Sequence, residues 1–183
     1  MYKLTPEMKR LLKKPWLWVT AIIISASVWV LGFYWASRTP TEYTLNVWVG
    51  APVNLDDKLQ SRITEVGKSY GMKEISIAAY DPDDSQYAAA FALQTSTNDI
   101  FILRRDEALT IAQADVFMTL DDVYADDPAA VKYNDKVVGV TFKEEYCVLV
   151  CAYSKKDKNM LYDVVKAVVN YGNSVGDGTE ESV

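Results

Sequence analysis

Aspartates gathered as Asp81-Pro82-Asp83-Asp84, Asp121-Asp122 and Asp126-Asp127 are the first residues in this chain that could do chemistry, and the chemistry would be calcium binding. None of the groups follows the D-x-[DN]-x-[DN]-G order with a closing glutamate that wraps oxygen ligands around the ion. Ordinary backbone chemistry accounts for them: Asp83 and Asp84 read as the opening of a helix, whose first N–H groups favour negative charge, and Asp126-Asp127-Pro128 reads as a turn. Cys147 and Cys151 sit in Tyr146-Cys147-Val148-Leu149-Val150-Cys151, which has strand composition. Four steps along a strand cover ~13 Å, whereas a disulfide needs Cα atoms within ~7 Å. The two should share one face as small apolar residues. The chain has no histidine, so a two-cysteine metal site lacks further ligands and the usual neutral-pH base is missing. With no nucleophile elbow, phosphate-binding glycine loop or triad, the residues point away from an enzyme and from any metal or cofactor.

What could position a binding surface is a different matter, and it begins at a membrane. Residues Pro15 to Ser37 carry no charge, with Lys13 and Lys14 before them and Arg38 after. At ~1.5 Å per residue, Trp16 to Trp35 cover ~30 Å, the thickness of a hydrocarbon core. Trp16, Trp18, Tyr34 and Trp35 sit where amphipathic rings favour the headgroup level. A cleaved secretory signal has a shorter apolar core and a small-residue cleavage site, so the run is read as an uncleaved transmembrane helix over 15–37.

Residues 1–14 hold Lys3, Lys9, Arg10, Lys13 and Lys14 against Glu7, which places a basic segment in the cytoplasm and the C-terminal part outside. The expected location is a bacterial cell membrane, crossed once. Of 19 basic and 25 acidic residues, six basic and one acidic precede Thr39, leaving the exported part at a net of −11. That charge opposes nucleic acid and anionic lipid surfaces as partners.

After a linker over 38–42, strand and helix signals alternate through 43–172. Tyr43 to Val49 is a strand ending at Gly50; Asn54 is a plausible N-cap for a helix with Leu55, Leu59, Ile63, Val66 and Tyr70 on one stripe, stopped by Gly71. Glu74 to Ala79 is a strand, Asp84 to Leu93 a helix, Asp99 to Leu103 a buried strand, and Asp106 to Gln113 a short helix. Three strand-then-helix units imply a parallel sheet covered on both faces. Strands at Lys136 to Phe142 and Tyr146 to Ser154 complete it. A last helix, Asn159 to Tyr171, must dock on the sheet to hide Leu161, Val164, Val165, Val168 and Val169. Gly172-Asn173 is expected to end it, and 173–183 to form a disordered acidic tail.

Four stretches in order, Leu45 to Gly50, Asn98 to Leu103, Val116 to Tyr124 and Lys132 to Val140, resemble the N-terminal lobe of the extracellular solute-binding proteins of ABC importers, chiefly the carbohydrate-binding group. The resemblance implies an α/β fold: one doubly wound lobe of the periplasmic-binding-protein type after a single transmembrane helix. It also implies a partner lobe that this chain does not display, and a lipid anchor for which the helix substitutes.

In an open α/β sheet the ligand crevice lies at the C-terminal ends of the strands. By that rule and by the resemblance, the candidate ligand or docking surface is Gly50, Ala51, Pro52, Val53 and Asn54, then Tyr80, Asp81 and Asp83, then Arg104, Arg105 and Asp106, and finally Thr141, Phe142, Lys143 and Glu144. One lobe covers one side of a solute, so binding by it alone should be weak. In the anchor, Ala21, Ser25, Gly32 and Ala36 fall within a ~60° sector, a face against which another membrane helix could pack. Two functions follow. The chain is an accessory or scaffold subunit of a membrane complex, with a transporter permease as its partner and the lobe as docking platform; or it is a carbohydrate-binding module whose second wall comes from another chain.

Overall fold

The computed structural model describes residues 14–50, 57–143 and 145–176, which fall into two units dividing after Thr39. The first is one helix, α1 (Pro15–Ser37). Pro15 opens it, where a missing N–H costs no hydrogen bond. Its apolar residues surround the whole circumference: Trp29, Phe33 and Trp35 are all more than 70% exposed, and none of its residues is buried. The hydroxyls of Thr20 and Ser27 donate to the carbonyls of Trp16 and Ile23, at 2.8 and 2.9 Å, so these polar atoms are satisfied inside the helix, as a hydrocarbon environment requires. Arg38 donates to the Tyr34 hydroxyl and lies over its ring at 4.3 Å.

The second unit is a six-stranded sheet between helices. A 3₁₀ turn over Thr41–Tyr43 leads into β1 (Thr44–Gly50), followed by α2 (Asp57–Ser69), β2 (Glu74–Tyr80), α3 (Tyr87–Gln94), β3 (Ile100–Arg104), α4 (Arg105–Ala112), the single turn α5 (Asp121–Tyr124), β4 (Ala130–Tyr133), β5 (Lys136–Phe142), β6 (Tyr146–Val150) and α6 (Lys158–Gly176). The spatial order is β2-β1-β3-β6-β5-β4. β2, β1 and β3 are parallel, as repeated strand–helix units require, whereas β6, β5 and β4 are added antiparallel. The sheet is therefore mixed, not parallel throughout.

Alternation along the strands divides the core in two. Leu45, Val47 and Val49 of β1, Ile100 and Ile102 of β3 and Val148 and Val150 of β6 pack with Leu59 and Ile63 of α2 and with the α6 stripe of Leu161, Val164, Val165, Val168 and Val169. On the other face Trp48, Phe101, Leu103, Cys147, Leu149 and Cys151 meet Tyr87 of α3 and Ala108 and Ala112 of α4. Both cysteines thus share one face, buried and unpaired.

The ends of the helices depart from the sequence reading in instructive ways. Gly71, at φ +83, closes α2: Gly71 N–H bonds the Lys68 carbonyl and Met72 N–H the Gly67 carbonyl, the paired pattern of a left-handed C-cap. The proposed N-cap Asn54 lies outside the described residues. α3 begins at Tyr87 rather than Asp84, because the carboxylates of Asp81 and Asp84 accept from the N–H groups of Asp83 and Gln86 and hold two successive turns. Gly172 does not stop α6, which continues to Gly176; a β-carbon there would lie 3.0 Å from the Phe142 Cβ, so the glycine serves close packing.

Candidate functional site

The strands deliver most of the expected surface to one end of the sheet. β5 is two antiparallel steps from β3 and so runs in its direction, bringing the ends of β1, β2, β3 and β5 to the same edge. Gly50, Tyr80, Arg104 and Phe142 close these four strands, Asp81 and Asp83 follow β2, and Arg105 and Asp106 open α4. Ala51, Pro52, Val53, Asn54 and Glu144 lie outside the described residues.

The surface is not a single cluster. Phe142 is buried on the α6 side, and Lys143, held at φ +49 in the turn after it, sends its ammonium group 5.3 Å over the Tyr171 ring of α6. Thr141 pairs with Cys147 inside the sheet. Asp81 is engaged by Asp83 N–H. Arg104 reaches Asp106 at 3.7 Å, with both side chains largely in water, and with Glu145 and Tyr146 these two line an open depression of about 370 Å³.

Beneath this edge lies an aromatic floor that the sequence reading did not single out. Trp48, fully buried, stacks on Tyr80 with ring centroids 3.7 Å apart and planes 10° apart, and Phe91 meets it edge-on at 5.7 Å. The spacing held the signal: Tyr87 and Phe91 are one helical turn apart, and Trp48 is two residues before Gly50. The Trp48 indole N–H and the Tyr87 hydroxyl are both buried without a hydrogen-bond partner. The Glu107 carboxylate and the Trp48 indole N–H both lie near that hydroxyl. Burial first, and this carboxylate second, push the Tyr87 phenol above its ordinary range. Burial likewise raises Glu107, against the pull of Tyr87 in the other direction. Gly50 is obligatory beside them: a β-carbon would overlap the Tyr87 hydroxyl and lie 2.9 Å from Leu103 Cδ2.

At the opposite end of the sheet a second cavity, about 590 Å³, is bordered by Pro40, Asn46, Asp99 and Lys156. Its buried carboxylate is structural. Asp99 accepts from Asn46 N–H at 3.0 Å and from the Ser154 hydroxyl at 2.6 Å, joining β1, β3 and the segment after β6. Burial pushes the Cys147 thiol up to about 12, so it is not a nucleophile at neutral pH.

Several solved structures are similar over part of the chain. An N-glycan transport solute-binding protein from Streptococcus pneumoniae, crystallised with Man1GlcNAc, aligns with 54% of this chain and 24% of its own at 18% identity and a TM-score of 0.35. An extracellular solute-binding protein from Staphylococcus aureus in complex with maltose aligns over 57% and 29% at 15% identity and a TM-score of 0.36. Thiaminase I from Bacillus thiaminolyticus aligns over 52% and 27% at 16% identity and a TM-score of 0.38. The chain spans about a quarter of the length of the structures it matches. No family model matches the sequence, and no curated protein matches it.

Proposed function

We propose that this chain is a membrane-anchored, extracytoplasmic accessory subunit of a membrane complex, of the ABC-transporter kind, whose lobe is a docking platform at the C-terminal edge of its sheet. The observation that carries this reading is the open, charged depression that the described residues form at that edge. It is about 370 Å³ and bounded by four residues, two of them an exposed ion pair. A small solute needs roughly 70 to 90% of its surface covered, while a protein partner can lie across a flat edge. The uniformly apolar α1 supports anchoring: it is long enough to cross a bilayer, and its small residues Ala21, Ser25, Gly32 and Ala36 offer room for a partner helix. The five basic residues ahead of Pro15 support a cytoplasmic N-terminus.

The solute-binding reading keeps one specific support, the unpartnered Trp48 and Tyr87 donors below Gly50. Both are shut off by the packing around Gly50, so a ligand held between this edge and a second wall would reach them only where that packing opens. The deciding experiment is co-purification of the full chain in mild detergent, with Arg104→Ala and Asp106→Ala beside the wild type. Loss of a membrane partner from these variants, with no sugar affinity in calorimetry, is the expected result. Micromolar sugar binding by the monomer, equivalent to ~8 kcal/mol, would overturn the docking reading.

A further inference from the structure

We propose that β2 is a pairing edge for a second copy of this chain, the two β2 strands running antiparallel about Ile77. The two borders of the sheet are built differently. β4 is four residues long, carries the exposed Lys132 and breaks register against β5 between Val131 and Lys132, all features that discourage another strand. β2 is seven residues in unbroken register with β1, and within it are no proline, no lysine and no bulge. Among the described residues, nothing pairs with its outer side. A regular strand left this way presents a row of free N–H and C=O groups.

Which groups are free follows from β1. Asn46 turns toward β3, its carbonyl accepting from Asp99 N–H and its own N–H meeting the Asp99 carboxylate. Alternation then turns Leu45, Val47 and Val49 toward β2. In a parallel pair the residue opposite such a position points away. With Val47 opposite Ile77, the backbone groups of Ile75, Ile77 and Ala79 face the open edge.

The occupant is identified by self-complementarity. An antiparallel copy centred on Ile77 sets Ile77 against itself and Ile75 against Ala79, giving about six hydrogen bonds from these residues. It also sets Ser76 against Ala78 and, just beyond the strand, Lys73 against Asp81. Both are exposed, with the Lys73 ammonium 4.5 Å over the Tyr43 ring and the Asp81 carboxylate accepting from Asp83 N–H, so the pairing brings together opposite charges already held at each end of the strand. A strand from an unrelated protein would have no reason to meet both charges at this spacing. The apolar face continues across the junction, since Ile75 and Ile77 pack against the lobe's core but keep part of their surface exposed.

The test uses the full chain in mild detergent, with size read by light scattering and folding by the thermal midpoint. The wild type should be a dimer. Ala79→Pro removes an outward N–H and should weaken association by more than about tenfold at an unchanged midpoint. Ala78→Pro, whose N–H faces β1, should instead lower the midpoint. Should Ala79→Pro itself unfold, charge exchange decides: Lys73→Asp and Asp81→Lys should each weaken the dimer, and the two together restore it. Ile77→Cys should form a disulfide-linked dimer in membranes under mild oxidation. A monomeric wild type, a dimer indifferent to the charge variants with no Ile77→Cys cross-link, or release by these variants of a different protein in place of a second copy would overturn the proposal.

Discussion

Trp48 lies flat on Tyr80, ring centroids 3.7 Å apart, so the buried middle of β1 and the last residue of β2 form one aromatic stack under the candidate edge. The other four tryptophans, at 16, 18, 29 and 35, all belong to α1, which leaves Trp48 as the sole indole after residue 39. Trp48→Ala should destabilise the lobe by ~3 to 5 kcal/mol, the range for deleting a buried ring. Tyr80→Ala, at a half-exposed ring, should cost less. Denaturant unfolding of residues 40–176, followed by circular dichroism and, where Trp48 is retained, by its fluorescence, measures both. Equal costs would mean that the stack is not anchored in the core.

Gly172 and Phe142 offer a second test. Alanine is the better helix former by ~1 kcal/mol, yet the added carbon would sit 3.0 Å from the Phe142 Cβ and 3.4 Å from the Lys143 nitrogen. Gly172→Ala should therefore lower the thermal midpoint, and Phe142→Ala should make the same glycine substitution less harmful. A stabilising Gly172→Ala would show that α6 and the β5–β6 turn separate easily.

The buried thiols predict a pH dependence. An unfolded thiol ionises near 9.0, whereas Cys147 in the fold does so only at about 12. A raised folded value gives stability that is complete below the unfolded value and lost as pH rises through the folded one. The lobe should weaken steadily above pH 9, and Cys147→Ala should flatten that decline. At pH 8, alkylation of Cys147 followed by mass spectrometry should track global unfolding; rapid labelling of the native protein would contradict the burial.

Glu107 works in the same direction at lower pH. Burial raises its carboxyl above the ordinary value of 4.5, so its contribution is complete below that value and falls as pH climbs through the raised one. Glu107→Gln should be more stable than the wild type at neutral pH and lose that advantage in acid. Parallel thermal melts across this window decide it.

In α1, Gly32 has nothing within 4 Å of where a β-carbon would stand, so the chain itself tolerates a side chain there. Gly32→Leu or Ala36→Leu should release a co-purifying membrane protein without impairing insertion, while Ile23→Leu or Val30→Leu should not. Retention of the same proteins by all four variants would reduce α1 to a tether.

Much of the fold was legible because apolar spacing carries it. The stripe from Leu161 to Val169 and the runs at Ile100 and Lys136 lie where the structure has α6, β3 and β5. Strand direction was not legible: a buried strand such as β6 is apolar on both faces whichever way it runs, and only its partners Leu103 and Thr141 reveal that it is antiparallel to both neighbours. β4 was overlooked although its signal was present. Asn134 and Asp135 both have positive φ, the two-residue hairpin turn that these residue types favour. Of the candidate edge, the charged positions could be placed from the ends of strands. The aromatic floor left only a local trace, the one-turn spacing of Tyr87 and Phe91; that this pair meets Trp48 of β1 is a tertiary contact no local pattern encodes.

Asp99 has a mechanical consequence. Any tension along the polypeptide from α1 enters the lobe at Pro40 and passes within a few residues into β1. That strand lies between β2 and β3, both parallel to it, so drawing it out along its own axis would strain many hydrogen bonds at once instead of peeling them singly. The Asp99 carboxylate, gripping Asn46 N–H and the Ser154 hydroxyl near the start of β1, fastens that strand to two other segments. A lobe threaded in this way resists being drawn out by its own leash, and Asp99→Ala should yield at a lower pulling force than the wild type in a single-molecule stretch from residue 40.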